Sequence, residues 1–361
     1  MIGALEIGLI YGVMALGVYL TFRVLNFPDL TVDGSFTTGA ATAAALITLG
    51  HNPVFATVAG GAAGLVAGAI TGVLHTKGKI DGLLAGILTM IALWSINLRI
   101  MGTTKPDATS TSNLPLLRAE TVFTPLKNLE IDKTWLSMLI IFVGVMIMKF
   151  IVDWFLSTNL GLAIQATGDN GPMIASFGVS TDRMKILTLA LSNGLVAACG
   201  ALVAQYQGFA DISMGIGLIL VGLASVILGQ AIFGQRFIWV ATFAVVFGAV
   251  LYRMIIFFAL QVGLDPNDMK LITALLVIAA LLLPRWGFLK RIPSWKDRGG
   301  KVTPRETPPD PSPPGEAAAP ASAATAPPAS TPSASAPSAS APSASAPSPS
   351  TPSGPTETSG R

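Results

Sequence analysis

Long, nearly uncharged apolar runs recur along this chain, near residues 2–22, 34–50, 53–74, 82–101, 134–155, 184–207, 214–233, 237–258 and 269–286. A helix of ~20 apolar residues crosses the ~30 Å hydrocarbon core of a bilayer. The runs are continuous rather than alternating, so closed helices are expected and a β-barrel is not. With 52% hydrophobic and only 11% charged residues, the chain cannot be an ordinary soluble domain. The reading is an all-α, polytopic transmembrane bundle of about nine spans. The run 34–50 is short and rich in Gly, Ala and Thr, which predicts a span that is broken or half-buried in protein rather than facing lipid.

Lysine and arginine set the expected orientation. Basic segments follow at 74–81 (LHTKGKID), 180–185 (STDRMK), 234–236 (GQR) and 284–301. Nine spans with the amino terminus outside leave all of these, and Arg23, on the inner side. The stretch 102–133, where basic and acidic residues offset one another, then lies outside. No basic n-region precedes the first run and no small-residue cleavage site follows it, so no removed signal peptide is expected. Residues 1–290 form the predicted membrane domain. Residues 291–361 begin basic and become Pro/Ala/Ser-rich, a composition with too little apolar surface to offset ordering. They are expected to form a disordered cytoplasmic tail.

Chemistry is sparse. No phosphate-binding Gly-x-x-x-x-Gly-Lys-Ser/Thr loop occurs, and neither a nucleophile with its base nor a carboxylate pair stands out. His51 and His75 fall at opposite ends of one run, too far apart to share a metal, and the lone Cys199 cannot form an intrachain disulfide. No catalysis, cofactor, metal or nucleic-acid partner is expected. Glu6, Arg99, Asp153 and Arg253 fall near predicted span ends, where snorkelling or interfacial water would accommodate them. Ser95, Asn97, Ser192, Asn193 and Ser225 lie inside the spans, either bonding helix to helix or lining a path. Gly60, Gly64, Gly68 and Gly72 form a flat stripe at four-residue spacing, repeated by Gly8 with Gly12 and Gly82 with Gly86. Such stripes let another helix approach closely, more readily within one subunit than across a dimer.

One stretch leaves the apolar phase and stays helical: Asn159–Ser180, NLGLAIQATGDNGPMIASFGVS. Asn170 or Gly171 can cap a helix, Pro172 suits its first turn, and Gly178 can end it in a left-handed conformation. Met173, Ile174 and Phe177 share one face. A helix this short must dock on something, whether the membrane interface or another protein.

These residues carry a resemblance. GLAIQATGDNGPMIASFGVS, with the later ALSNGLVAACGALVAQYQG and GIGLILVGLASVILGQAIFG, resembles the second half of membrane permeases from ABC importers of the branched-chain amino acid and ribose type. The opening YGVMALGVYLTFRVLNFPDLTVDGSFTTGAA is similar to their first span and turn, and its PDLTVDGSF to a tryptophan-type, otherwise poorly assigned subgroup. The resemblance covers residues 1 to about 290. It implies that the short segment is a coupling helix on an ATPase subunit, with Gly161, Gln165, Ala166, Gly168, Asp169, Asn170, Met173, Ile174, Ala175, Phe177 and Gly178 as contact residues. Gly229 matches a family glycine, whereas Gln230 stands where many members have a second one. Asp29, Thr31, Asp33, Ser35, Asn97, Ser192 and Asn193 are the translocation-path candidates, with a helix cap as the alternative role of Asp33. The implied partners are an ABC ATPase, an extracytoplasmic solute-binding protein, a second permease copy as a homodimer, a small solute such as an amino acid, and the lipid bilayer of the cell membrane. An ion-coupled carrier and a structural membrane protein are the rival classes.

Overall fold

The computed structural model describes residues 2–104, 110–117, 119–124, 133–234, 237–262 and 269–282. The expected tail, and the acidic and basic residues at 105–109 and 125–132, lie outside these residues. The chain is helical almost throughout: α1 (Ile2–Tyr19, continued by a π-helical turn Leu20–Val24), α2 (Thr31–Thr48), α3 (Pro53–Thr76), α4 (Gly82–Gly102), α5 (Lys133–Ser157), α6 (Asn159–Asp169), α7 (Gly171–Ser176), α8 (Thr181–Gln207), α9 (Leu218–Phe233), α10 (Ile238–Gln261) and α11 (Met269–Leu282). Two three-residue strands, β1 (Asn113–Pro115) and β2 (Phe209–Asp211), pair antiparallel. They were not anticipated, because three residues leave no periodic signal; Gly208, at φ +81°, turns the chain out of α8 into β2.

Among the described residues six helices, not nine, are long and apolar enough to cross a bilayer: 2–24, α3, α4, 135–157, α8 and α10. Three expected spans fall short for separate reasons. α2 is long enough but built of small and hydroxyl residues, and it is buried between α3, α4 and α8. α9 has 16 residues because its expected first turn, 214–217, is not helical. α11 is described over only 14 residues.

Small residues determine how the helices meet. In water, burial of apolar area would drive packing; in lipid, close backbone approach and polar contacts replace it. A Cβ on Gly64 or Gly68 of α3 would strike the α8 backbone at Asn193 or Leu189, and one on Gly60 would strike the Gly39 carbonyl of α2. Gly8 and Gly12 bring α1 against Val250 and Val246 of α10, and Gly82 and Gly86 seat α4 against Phe27 and Leu30. The glycine stripes are therefore seams within one chain. α1 is buried along most of its length, packed by α5, α8, α9 and α10, and its core carries Ile10, Val13, Met14 and Leu16.

The ionisable groups depart from expectation. Arg99 is exposed, but Glu6 and Asp153 are buried. Tyr206 Oη of α8 donates to Glu6 Oε2 at 2.7 Å, and Ser137 Oγ of α5 also donates to Glu6, so this carboxylate ties three helices together. Arg253 of α10 stacks 4.0 Å from the Tyr11 ring. Lys149 and Asp153 form a 2.5 Å ion pair on α5, with Thr242 Oγ1 of α10 donating to Asp153 Oδ1 at 2.6 Å and the ammonium 5.0 Å from the Phe150 and Trp239 rings. Partners within the bundle, rather than interfacial water, accommodate these charges. Removing one member of such a pair strands the other. Asp153→Asn is expected to cost ~3–5 kcal/mol, whereas Lys149→Met with Asp153→Leu should recover most of it. Thermal melts of both variants in detergent measure the difference.

Candidate functional site

Two places combine exposure with specific local chemistry. The first is a cleft between α4 and the segment 212–217, floored by the start of α2. Asp29, in the connector from α1, accepts from the Thr31 amide at 2.9 Å and so takes the capping role at the α2 amino terminus. Asp33, expected as a possible cap, lies inside α2 and caps a different helix. Its Oδ2 accepts from Gly217 N–H at 2.8 Å and its Oδ1 from Ile219 N–H at 2.9 Å, two of the otherwise orphan donors at the start of α9. The carboxylate also faces the positive end of that helix dipole. Glycine makes the approach possible. A Cβ on Gly215 would meet the Asp33 carbonyl oxygen and Thr37 Oγ1, and Gly217 sits at φ +85°.

This cleft holds a cavity of about 350 Å³, lined by Asp33, Gly34 and Thr37 of α2, by Met90, Ile91, Trp94, Ser95 and Asn97 of α4, and by Ile212 and Ile216. Its volume falls within the ~300–1,000 Å³ usual for small-molecule sites. Asn97 is 1% exposed; its Nδ2 donates to the Gly34 carbonyl at 3.4 Å, and its Oδ1 is buried without a hydrogen-bond partner. Of the seven path candidates, only Asp33 and Asn97 line this cavity. The other five are buried between helices. Asn193 Nδ2 donates to Asp29 Oδ2 at 2.6 Å, the Thr31 and Thr71 hydroxyls lie 2.9 Å apart, and Ser192 Oγ donates to the Gly17 carbonyl at 2.7 Å. Ser35 is wholly buried with its hydroxyl unpartnered. Ser95, read in the sequence as bonding between helices or lining a path, lines the cavity; Met90, Ile91 and Trp94 were missed, and although Met90 and Trp94 stand four apart on α4, the second wall at 212–216 left no sign near them.

The second place is the segment between α5 and α8. Thr158 caps α6 through its contact with Gly161 N–H at 3.3 Å. Gln165 Nε2 donates back to the Leu156 carbonyl at 3.0 Å, fastening α6 to the end of α5. Gly161 and Gly168 sit where a Cβ would strike the Phe155 and Val24 carbonyls. The Ala166 carbonyl accepts from Asn170 N–H at 3.0 Å, and Asn170 Oδ1 then accepts from Met173 N–H at 3.1 Å to open α7. Gly178 closes the turn at φ +84°, its N–H bonded to the Ala175 carbonyl at 3.0 Å. Asp169, Met173, Ala175 and Phe177 are exposed and Ile174 is half-buried. Phe177, 72% exposed beside the 53% exposed Met173, makes an apolar projection at the end of a helix capped by Asn170 and closed by Gly178. Among the described residues no group of three or more His, Cys, Asp or Glu side chains is placed to hold a metal.

A multi-span helical bundle with a solute-sized cleft and a short capped helix between two long apolar helices has the architecture of a polytopic membrane subunit. Residues 1–282 match the family model described as branched-chain amino acid transport system / permease component, and the chain belongs to that family of ABC-type permeases for small solutes. It is 44% identical over 274 residues to a tyrosine transport system permease protein of Clostridioides difficile, covering 76% of this chain and 87% of that one. An uncharacterised protein of Rickettsia prowazekii is 36% identical over 287 residues, covering 78% and 96%. The ribose import permease of Escherichia coli K12 is 25% identical over 219 residues, covering 60% and 64%. No solved structure matches the chain.

Proposed function

We propose that this chain forms, as a homodimer, the translocation path of an ATP-driven importer for an amino acid or related small solute. A solute-binding protein delivers the solute from outside, and a separate ATPase supplies the energy through α7. With α2, α9 and α11 counted as crossings inside the bundle beside the six long apolar helices, the amino terminus lies outside and the carboxy-terminal tail inside, with α6, α7 and the 74–81 loop on the cytoplasmic face. The observation that carries the reading is the projection of Met173 and Phe177 from a two-turn helix clamped by Asn170 and Gly178. Apolar exposure on a rigid element outside the spans fits a docking knob. The tyrosine-transport relative supports the solute class, and the cleft around Asp33 and Asn97 supplies this subunit's wall of the path. Energy arriving as motion requires no acid, base or metal of the permease.

The test is flux in proteoliposomes holding the permease, its ATPase and its binding protein, with labelled tyrosine outside. Uptake should require internal ATP and survive ionophores that collapse proton and sodium gradients. Uptake that continues without ATP but disappears with an ion gradient would transfer the chain to the ion-coupled carriers. A well-reconstituted preparation with no flux in either condition would favour a structural role.

A further inference from the structure

We infer that the cleft cavity recognises its solute by an ammonium group, held between Asn97 Oδ1 and the Asp33 carboxylate with an apolar or aromatic body against Trp94. The inference rests on the reading of this cleft as the solute path, and deepens it by assigning which end of the solute is gripped. Asn97 carries the argument. Its amide orientation is set by the bond from Nδ2 to the Gly34 carbonyl, which leaves Oδ1, an acceptor, buried in the cavity wall with no donor. A buried acceptor without a donor is costly, and a solute N–H placed there recovers that loss.

Asp33 adjoins Gly34 and lines the same cavity. The Gly217, Leu218 and Ile219 amides take up to three of its about four acceptor positions, which leaves one for a cation. The α9 amino terminus is already satisfied by this carboxylate and offers little to an anion. No lysine, arginine or histidine is among the lining residues. The Thr37 hydroxyl is engaged with the Asp33 carbonyl at 3.2 Å. The Ser95 hydroxyl and the Trp94 indole N–H are the donors of the lining, but its one charged side chain is the Asp33 carboxylate and its orphan atom is the Asn97 Oδ1 acceptor, which favours an ammonium over a carboxylate. Apart from Ser95, the remaining wall of Met90, Ile91, Trp94, Ile212 and Ile216 is largely apolar and takes the body of the solute. A primary amine lacking the carboxylate should therefore be retained, and the acid lacking the amine should not.

The experiment uses the complete permease–ATPase complex in nanodiscs, with tyramine and 3-(4-hydroxyphenyl)propionate as probes and saturation-transfer NMR as the readout. Wild type should bind tyramine at least ~10-fold more tightly than the acid, the scale expected when one buried acceptor gains or lacks its donor. Asn97→Leu should abolish that preference, and Asn97→Ser, which keeps an acceptor, should retain part of it. Equal affinity for the two probes in wild type would overturn the assignment, as would a full amine preference in Asn97→Leu. The wild-type ratio decides the matter even if the leucine variant fails to fold. ATP-driven tyrosine uptake is measured on the same wild-type complex in proteoliposomes. Its absence would sink the importer reading and this inference together, whereas uptake without an amine preference would sink this inference alone.

Discussion

Phe177→Asp is expected to reduce ATP-driven uptake ~100-fold or more and to strip the ATPase from the permease during mild-detergent purification. The substitution places a carboxylate in the centre of an apolar contact. Burying an unpaired charge there costs several kcal/mol, and each ~1.4 kcal/mol is a tenfold loss of affinity. The membrane fold should not notice, because Phe177 is 72% exposed and its neighbour Gly178 keeps the turn. Exposed substitutions of this sort usually change stability by less than ~0.5 kcal/mol. Phe177→Leu retains apolar bulk and should retain most of the coupling. Normal uptake with the ATPase still bound to the aspartate variant would show that α7 is not the docking element, and would leave the membrane interface as its partner.

Gly68→Leu is expected to have the larger effect on folding itself. Along the seam between α3 and α8, the most extensive helix pair among the described residues, Gly68 lies so near the Leu189 carbonyl that no Cβ fits, and Asn193 Cβ stands 2.8 Å from the position it would take. Overpacking a core with side-chain atoms costs ~1–3 kcal/mol when neighbours can shift. Here the obstacle is backbone, which cannot rotate out of the way, so the cost should meet or exceed the top of that range. Folded proteins have only ~5–15 kcal/mol in hand. Displacing Asn193 would also release the Asp29 carboxylate from its 2.6 Å hydrogen bond and leave it buried with Thr31 alone to hold it. The variant should lose its monodisperse peak in detergent size-exclusion chromatography. Gly144→Leu on α5, where a Cβ meets nothing within 4 Å, should keep that peak. A Gly68→Leu protein that melts with wild type would mean that the α3–α8 approach is not needed for the fold.

The sequence by itself determined most of what is local or periodic, with the three-residue strands and the non-helical 214–217 as exceptions. Apolar run lengths gave the solvent and the helical class, because backbone groups in lipid must be satisfied within their own segment. The four-residue glycine spacing gave the close-packing stripes, and the Asn170, Pro172 and Gly178 pattern gave the ends of α7, because caps and left-handed turns depend on a few adjacent residues. The composition of 34–50 pointed to a span withdrawn from lipid, though as a broken or half-buried one, whereas α2 is a continuous buried helix.

Tertiary structure alone decided which distant residues complete one another. Asp33 looks like a local cap in PDLTVDGSF, yet its partners are amides at Gly217 and Ile219, some 180 residues later, and nothing near either segment encodes that meeting. The burial of Glu6 and Asp153 depended on hydroxyls from Tyr206, Ser137 and Thr242 arriving from other helices. Trp94 and Asn97 became cavity walls only because 212–217 lies opposite α4, without continuing as the first turn of a helix. Hydrophobic period and capping chemistry act over a few residues, whereas a carboxylate's charge, an amide's orphan oxygen and the space between them are defined only once the helices are packed.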